Sequence, residues 1–223
     1  MTSPRLKVVT LPAATRFKKS VKPPTANMLK SGRNNKKLGG VVTKGAWKGY
    51  PLYSLTLEER ATCPADCDQW DTCYGNNMPF AHRFNVNDPQ FIDHLAADLK
   101  KLDIKHWHFV VRLHVLGDFY SRSYVTAWRH FMSEHPGLHV FGYTHHKPWT
   151  SIGKMINSLN ESYKTRWRIR FSNADVPFSA HVVQEEFIPD NGIVCPEQLG
   201  KTKSCASCAY CWGSENPVFF LEH

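Results

Sequence analysis

Seven cysteines in two groups constrain this chain more than any other feature of its sequence. Its first residues lack the apolar segment of an export signal, so we expect a cytoplasmic protein, and cytoplasmic thiols are kept reduced. The odd number of cysteines also argues against a framework of disulfides. Clustered thiols in that setting are typical of metal sites, and the sequence therefore predicts that the cysteines bind metal.

The first group is a loop in which Cys63, Cys67 and Cys73 are separated by three and then five residues. Three thiolates alone do not complete the four-coordinate shell of a structural zinc ion. They can hold a [4Fe-4S] cluster whose fourth iron is left open to bind a substrate or cofactor through amino and carboxylate groups. The alternative is a closed zinc site that recruits a histidine such as His82.

The second group places Cys195 ahead of the run Cys205-x2-Cys208-x2-Cys211. Spacers of two residues let neighbouring sulfurs converge on one ion or one cluster. A CxxCxxC run with a distant fourth cysteine is typical of ferredoxin clusters, whereas structural zinc usually takes two separated CxxC pairs. The spacing therefore favours a second [4Fe-4S] cluster, and zinc is the alternative metal.

A length of 223 residues predicts one main domain with additions at its ends. No stretch approaches the roughly 20 apolar residues of a membrane helix, so we expect no membrane partner. The last three residues resemble the start of a vector-encoded tag. The predicted parts are a basic N-terminal arm (1–48), a core domain with the first metal site (49–190), a cysteine-rich metal-binding region (191–220) and the tag residues (221–223).

The net charge of +9 is concentrated in the N-terminal arm, because twelve Lys or Arg residues and no acidic residue precede Glu58. Such a basic segment suits the phosphate backbone of a nucleic acid or another anionic partner, since each neutralised phosphate releases counterions. A solvated, partly flexible tail is the alternative interpretation.

Strands that alternate with helices predict parallel βα units. The clearest strands are predicted at 52–57, 107–115, 138–143 and 167–171, with further candidates at 180–184 and 192–195. Helices are predicted at 88–102, 121–134 and 150–160 from the spacing of their apolar residues. We therefore expect an α/β fold, in the form of a partial (β/α) barrel of about six parallel strands.

Polar residues follow each of the four clear strands, where the working residues of βα folds lie. We expect these sets to converge on one rim. We also expect Arg112 to point into the barrel, where an anionic group would be needed to pair with it. His114 and His145 are candidate acids or bases, the alternatives being a half-buried sheet histidine and a polar lining residue. After the cysteine loop, the sets are His114, Gly117 and Asp118, then Thr144, His145 and His146, then Ser172, Asn173 and Asp175.

The order of these features resembles the radical S-adenosylmethionine (SAM) enzymes. A strand that feeds into a three-cysteine loop is similar to their first strand and cluster loop, and Gly117-Asp118 is similar to their glycine-acid motif. The last four cysteines resemble their auxiliary-cluster extensions. The usual loop is CxxxCxxC and the usual motif Gly-Gly-Glu, so this chain departs from both. From about residue 34 to 212 the chain also resembles small phage and prophage proteins of unassigned activity, on runs such as RLHVLGDFYS and CPEQ.

The resemblance implies that the first three cysteines bind the cluster that holds SAM, while Gly117 and Asp118 meet the methionine amine. Ser172 or Asn173 would touch the ribose or carboxylate, and Tyr74 would flank the adenine. The implied reaction is reductive cleavage of SAM to a 5′-deoxyadenosyl radical, which takes a hydrogen atom from an unknown substrate. The candidate catalytic residues are His114, Asp118 and His145.

The radical SAM reading also implies an electron donor, and nucleic acid is one candidate substrate. A rival from another class is a non-catalytic nucleic-acid-binding protein in which zinc or iron-sulfur sites only brace the fold. A third possibility is a redox protein with clusters and no SAM site.

Overall fold

The computed structural model of this chain describes residues 12–25 and 27–222. The strands form one eight-stranded sheet in the order β2-β3-β5-β6-β7-β8-β10-β9 and a separate pair of β1 with β4. Neighbours in the large sheet are parallel except β2 and β3. The strands are β1 (Val21–Lys22), β2 (Lys30–Ser31), β3 (Leu52–Ser54), β4 (Arg83–Phe84), β5 (Phe109–Leu113), β6 (Leu138–Thr144), β7 (Trp167–Ser172), β8 (Ser179–Val183), β9 (Ile193–Val194) and β10 (Val218–Leu221). The helices are α1 (Phe91–Lys105), α2 (Arg122–Glu134), α3 (Ser151–Ser162), α4 (Cys205–Cys208) and α5 (Tyr210–Gly213).

Side chains that alternate along the central strands build two different faces of the sheet. Val111 of β5 and Ile169 of β7 pack into the larger core with α1, α2 and α3. Val110 and Phe141 point the other way and pack with Trp212. The three long helices therefore cover one face, the helix face, and the opposite face, here called the cleft face, is covered by segments from both ends of the chain.

The three long helices occur where the apolar spacing predicts them, and α2 and α3 begin after a serine cap and a threonine cap. The start of α1 differs from the predicted helix at 88–102, because the helix begins at Phe91. The Asp88 carboxylate accepts a hydrogen bond from the Gln90 amide at 2.9 Å. Asp88 thus forms a turn ahead of the helix instead of capping it directly.

The α/β class and the parallel βα units are confirmed, and the sheet is mostly parallel with eight strands where about six were predicted. Within the described residues, no pairing joins the edge strands β2 and β9, so the sheet is open. The two additional strands are β2 and β10. β2 has only two residues, and its pairing with β3 is set by contacts across the fold that the local pattern does not reveal.

The basic N-terminal arm is built into the domain over much of its described length. β1 pairs with β4, and β2 pairs with β3 at the sheet edge. Leu38, Val42 and Trp47 are buried on the cleft face. Residues 1–11, which also belong to the predicted arm, lie outside the described residues.

The C-terminal cysteine-rich region also joins the same sheet, because β10 pairs with β8 on one side and β9 on the other. Leu221, predicted to be a tag residue, is the last residue of β10, and its amide donates to the Gln198 side chain at 2.8 Å. His223, from the same predicted tag, lies outside the described residues. None of the helices in the described ranges has the length and apolar character needed to cross a bilayer.

Candidate metal centres in a shared cleft

Both cysteine groups line a single cleft of about 300 Å³ on the cleft face of the sheet. Cleft walls with several polar groups and thiols are the usual form of a cofactor site. Cys208, at the end of α4, is not among the wall residues. The cysteines of the wall are Cys63, Cys67 and Cys73, here called the N-terminal triad, and Cys195, Cys205 and Cys211, here called the C-terminal triad.

A buried ion pair anchors the loop that carries the N-terminal triad. Glu59 precedes the loop, Arg83 follows it, and both side chains are excluded from solvent. Arg83 also donates to the carbonyls of Met78 at 3.0 Å and Ala81 at 2.7 Å. Because one guanidinium ties the start of the loop to its end, the three cysteines are held by the fold before any metal binds.

The turn at Gly117 packs directly against this loop. Gly117 has a φ of +83°, and a Cβ there would lie 2.4 Å from Thr62 Oγ1 and 2.7 Å from Leu57 Cβ. The Asp118 amide donates to the same Thr62 hydroxyl at 3.2 Å. Glycine is therefore required at this position by its backbone conformation and by the close approach of the loop.

The Asp118 carboxylate is buried and fully engaged by the protein. It accepts hydrogen bonds from the Phe119 amide at 2.7 Å, the Thr144 hydroxyl at 2.8 Å and the His145 amide at 2.7 Å. These bonds tie the end of β5 to the end of β6. The geometry assigns Asp118 to holding the rim together.

The thiols of Cys63 and Cys67 are protonated in the metal-free protein at neutral pH. Burial, together with the charge of Asp118, raises the pKa of Cys63 well above its usual range. Burial also raises the pKa of Cys67 to about 11, with a further contribution from Asp68. A metal centre at this position would therefore have to displace protons from the thiols as it binds.

His145, one of the candidate catalytic residues, lies beside the N-terminal triad. Its Nδ1 atom is 3.3 Å from Asp68 Oδ1, and Asp68 Oδ2 accepts a hydrogen bond from Asn173 Nδ2 at 2.6 Å. Cys67, Asp68 and His145 offer ligand atoms that lie within 4.8 Å of one another. The ends of β6 and β7 thus reach the cysteine loop, as the rim prediction requires.

Two short helices position the C-terminal triad. α4 docks on the N-terminal segment, since the Cys205 amide donates to the Lys37 carbonyl at 2.8 Å. Ala209, with a φ of +60°, reverses the chain between α4 and α5 and returns Cys211 toward Cys205. Cys195 is placed by β9, where its amide donates to the Phe219 carbonyl at 2.8 Å. Segments far apart in sequence therefore build this triad.

Polar and cationic side chains from the sheet surround the C-terminal triad. The Tyr143 hydroxyl donates to Cys211 Sγ at 2.9 Å. The Arg112 guanidinium lies 4.5 Å from the centre of the Tyr143 ring, and its Nε atom is buried without a hydrogen-bond partner. Arg170 donates from Nε to the Cys211 carbonyl at 2.9 Å. Burial nevertheless raises the pKa of Cys205 to about 12, so this thiol is also protonated without metal.

Within the described residues, neither triad has the compact geometry of a single tetrahedral zinc site. Thiolates on one tetrahedral zinc lie about 3.8 Å apart, given a Zn–S bond of about 2.3 Å. Among residues 12–25 and 27–222, neither triad has its three sulfur atoms within 4.8 Å of one another. A cluster spaces its thiolates more widely, because each binds a different iron.

The other predicted site residues fall into two groups. Tyr74, Ser172 and Asn173 line the cleft, with Tyr74 partly exposed. His114 belongs to the cleft wall, but its ring packs in an edge-to-face contact with Phe119 and its Nε2 lies 2.9 Å from the Tyr124 hydroxyl. Burial lowers the pKa of His114 to about 3, so the ring is neutral. Its contacts are those of a core histidine.

Sequence reasoning did not single out Asp68, Tyr143 or Arg170 as site residues. Asp68 directly follows Cys67 in the cysteine loop, so its place in the sequence could have marked it as a site residue. Tyr143 lies two residues after Phe141 in β6 and pairs with Arg170 of β7, which places both on the cleft face. What the pattern could not supply was the identity of the segment that covers that face.

A comparison of the sequence with models of protein families finds a match for this chain. The model of the family described as Gene product 88 matches residues 26–214, which is most of the chain. The chain belongs to the Gene product 88 family. This membership confirms the resemblance to a small phage protein family. No curated protein and no solved structure matches this Gene product 88 protein.

Proposed function

We propose that this Gene product 88 protein is an iron-sulfur enzyme of the radical SAM type, with one [4Fe-4S] cluster on each cysteine triad. The observation that carries the proposal is that both triads line one cleft, together with residues at the carboxyl ends of β5, β6 and β7. A purely structural metal needs no access to a cleft, whereas a reactive centre does. Two centres that line one cleft can both act on a molecule bound in it.

The winding of the sheet supports a barrel-like scaffold for this function. In the large sheet, the neighbouring strands β3, β5, β6, β7 and β8 follow one another in the same order as in the chain. The helices α1, α2 and α3 all lie on the helix face. This arrangement supports our interpretation of the fold as a partial (β/α) barrel, in which helices lie outside and the chemistry lies inside. A doubly wound sheet would instead place helices on both faces.

Three cysteines on the N-terminal side support a cluster with one iron left open to the cleft. With SAM bound, such a cluster supplies reductive cleavage to the 5′-deoxyadenosyl radical, which abstracts hydrogen from an unactivated carbon. Tyr74, Ser172 and Asn173 remain the candidates to hold the nucleoside. Asp118 is assigned to positioning, because its oxygens already accept three hydrogen bonds from the protein.

Cys195, Cys205 and Cys211 are the proposed ligands of the second cluster, and Cys208 of the same CxxCxxC run is the candidate for its fourth ligand. His145 is the candidate acid or base nearest the N-terminal triad, while His114 is engaged in the core. The substrate class that we propose is nucleic acid, and the electron donor is a separate one-electron reductant.

The test is anaerobic reconstitution of the full chain with iron and sulfide, followed by dithionite and SAM. We expect about eight iron and eight sulfide per chain for two cubes and formation of 5′-deoxyadenosine. A variant with Cys63, Cys67 and Cys73 all changed to alanine should keep the C-terminal cluster and form no product. A fully loaded wild-type protein that forms no 5′-deoxyadenosine would refute the enzymatic proposal.

A second candidate function is supported by the surface of the N-terminal segment. Many of its basic side chains are exposed although its backbone is built into the fold: Arg16, Lys18, Lys19, Lys22, Lys30, Arg33, Lys36, Lys44 and Lys48. Such a surface suits a non-catalytic nucleic-acid-binding protein in which zinc or iron-sulfur sites brace the fold. Zinc in place of iron, together with tight, salt-sensitive DNA binding that survives Asp118→Ala, would favour this function.

A further inference from the structure

Phe80 presents its aromatic ring to solvent from the turn between the cysteine loop and β4. The residue is 92% exposed. The turn itself is held from inside, because the Arg83 guanidinium donates to the carbonyls of Met78 at 3.0 Å and Ala81 at 2.7 Å. A single exposed apolar residue is common on protein surfaces, so the surroundings of Phe80 decide what this ring can bind.

The N-terminal segment 15–22 is fastened along this turn by its inward-facing groups. The guanidinium carbon of Arg83 lies 5.2 Å from the centre of the Phe17 ring. The Ser20 hydroxyl donates at 2.6 Å to the carbonyl of Pro79, the residue that precedes the exposed ring. β1 then pairs with β4. The segment therefore lies beside the turn in a position fixed by the fold.

The outer surface of this segment is cationic. Its exposed basic residues are Arg16, Lys18, Lys19 and Lys22. None of the four takes part in an ion pair among residues 12–25 and 27–222. Of the carboxylates that meet the segment, Glu58 accepts from the Thr15 amide at 3.0 Å and Glu59 belongs to the buried ion pair. The cysteine loop adds exposed Asp66 and Asp71, so cations outnumber free carboxylates here.

The same turn connects this cationic surface with the cleft. Tyr74 lines the cleft and is 44% exposed. The carbonyl of the next residue, Gly75, accepts a hydrogen bond from Arg83 at 3.3 Å. One guanidinium thus ties the cleft-lining end of the turn to the part that carries Phe80. The cleft, at about 300 Å³, has the size of a small-ligand site, so a duplex does not enter it.

We propose that residues 16–22 and 74–84 form a surface, here called the strand surface, that holds single-stranded nucleic acid at the mouth of the cleft. Phosphates lie against the four cations, and an unpaired base stacks on the Phe80 ring. The occupant is a single strand because its bases expose their faces, whereas a duplex buries them. This inference rests on the proposed function, in which nucleic acid is the substrate of the cleft.

The test is the binding of a fluorescein-labelled oligothymidine of about 15 nucleotides to the reconstituted full chain. Fluorescence anisotropy is measured between about 50 and 200 mM salt, with a duplex of the same length as the comparison. We expect the single strand to bind more tightly than the duplex. Equal or tighter binding of the duplex, or no binding of the single strand at the lowest salt concentration, would overturn the proposal.

Substitution of the exposed ring tests the stacking contact. Phe80→Ala should weaken binding of the single strand by about 5- to 150-fold, the cost of losing one stacked base, and Phe80→Trp should preserve it. Trp107→Ala is the matched control, because Trp107 is 93% exposed but precedes β5, at the amino ends of the strands. An unchanged affinity in Phe80→Ala, or an equal loss in Trp107→Ala, would overturn the assigned stacking site.

Substitution of the cations tests the phosphate contacts. A variant with Lys18, Lys19 and Lys22 all changed to glutamine should bind more weakly, and the slope of log affinity against log salt should fall by about 2. The control lowers the net charge equally by changing three exposed lysines of α1 and α3 to glutamine: Lys100, Lys105 and Lys154. Equal effects of the two triple variants would show general attraction and contradict the strand surface.

Two further measurements locate the strand and separate this inference from the proposed function. An oligothymidine carrying 5-iodouracil should form photo-crosslinks within residues 16–22 or 74–84, and crosslinks confined to other segments would overturn the assignment. Phe80→Ala should still form 5′-deoxyadenosine from SAM and dithionite. A protein that forms this product but binds no single strand would refute the inference and leave the proposed function. Binding at the strand surface without product would refute the enzymatic proposal alone.

Discussion

Replacing Glu59 by glutamine should destabilise the protein strongly while leaving its shape almost unchanged. The two side chains of the Glu59–Arg83 pair are 1% and 0% exposed, respectively. The Arg83 guanidinium approaches both carboxylate oxygens, and the Thr15 hydroxyl also donates to Glu59. The amide nitrogen of glutamine would face these donors, and the charge of Arg83 would remain buried without a partner.

Breaking a buried pair in this way costs about 3–5 kcal/mol of unfolding free energy. We expect Glu59→Gln and Arg83→Met each to lose an amount in that range. The double variant should lose less than the sum of the two, with a coupling energy of about 2 kcal/mol, because no charge is then left unpaired. Full recovery is not expected, since Arg83 also bonds to carbonyls of the cysteine loop.

The assay is urea denaturation of the reduced, metal-free protein, followed by circular dichroism. Glu134→Gln is the matched control, because Glu134 pairs with His130 at an exposed site and should cost less than about 0.5 kcal/mol. A second readout is iron binding at the N-terminal triad, which should weaken in Glu59→Gln as the loop loosens. A loss below about 1 kcal/mol in both single variants, or losses that simply add in the double variant, would refute the anchoring role.

Three further predictions concern the turn, the acid response and the packing on the cleft face. Gly117→Ala should lower the free energy of unfolding by about 2 kcal/mol or more in urea denaturation. The control Gly200→Ala, with a similar φ of +68° and open space around it, should lower it by about 1 kcal/mol. Equal losses would rule out the close contact with the loop. Burial lowers the pKa of His139 to about 4 from 6.5, so the unfolded state takes up the proton first and stability falls as the pH drops through this window. Between pH 7.5 and 5 this histidine should account for about 2 kcal/mol, and His139→Phe should flatten that part of the stability profile; an unchanged profile would count against a buried neutral ring. Trp212→Ala should cost about 3–5 kcal/mol, because this buried ring stacks on Trp47 at 5.3 Å, and a loss below about 1 kcal/mol would contradict its packing role.

Much of the secondary structure could be predicted because it depends on local spacing. The apolar residues of α2 recur with helical period behind a serine cap, and the strands β5, β6 and β7 are runs of buried residues. The cysteine spacing likewise indicates metal chemistry without reference to the fold. The strand rule then placed Asp118, His145 and Asn173 near the cysteine loop, and hydrogen bonds in the structure do link these residues to it or to one another.

The sequence by itself therefore determined the βα order and the rim on which polar residues meet, and the spacing of its cysteines predicts metal binding. Only the tertiary structure decided that the two cysteine groups share one cleft, that His114 turns into the core, that Asp118 bonds to the rim and that Arg112 faces the C-terminal thiols. The physical reason is the distance along the chain between the residues that interact. Helical and strand periods arise from neighbours a few residues apart, whereas the charges around a thiol come from strands and loops joined only by packing.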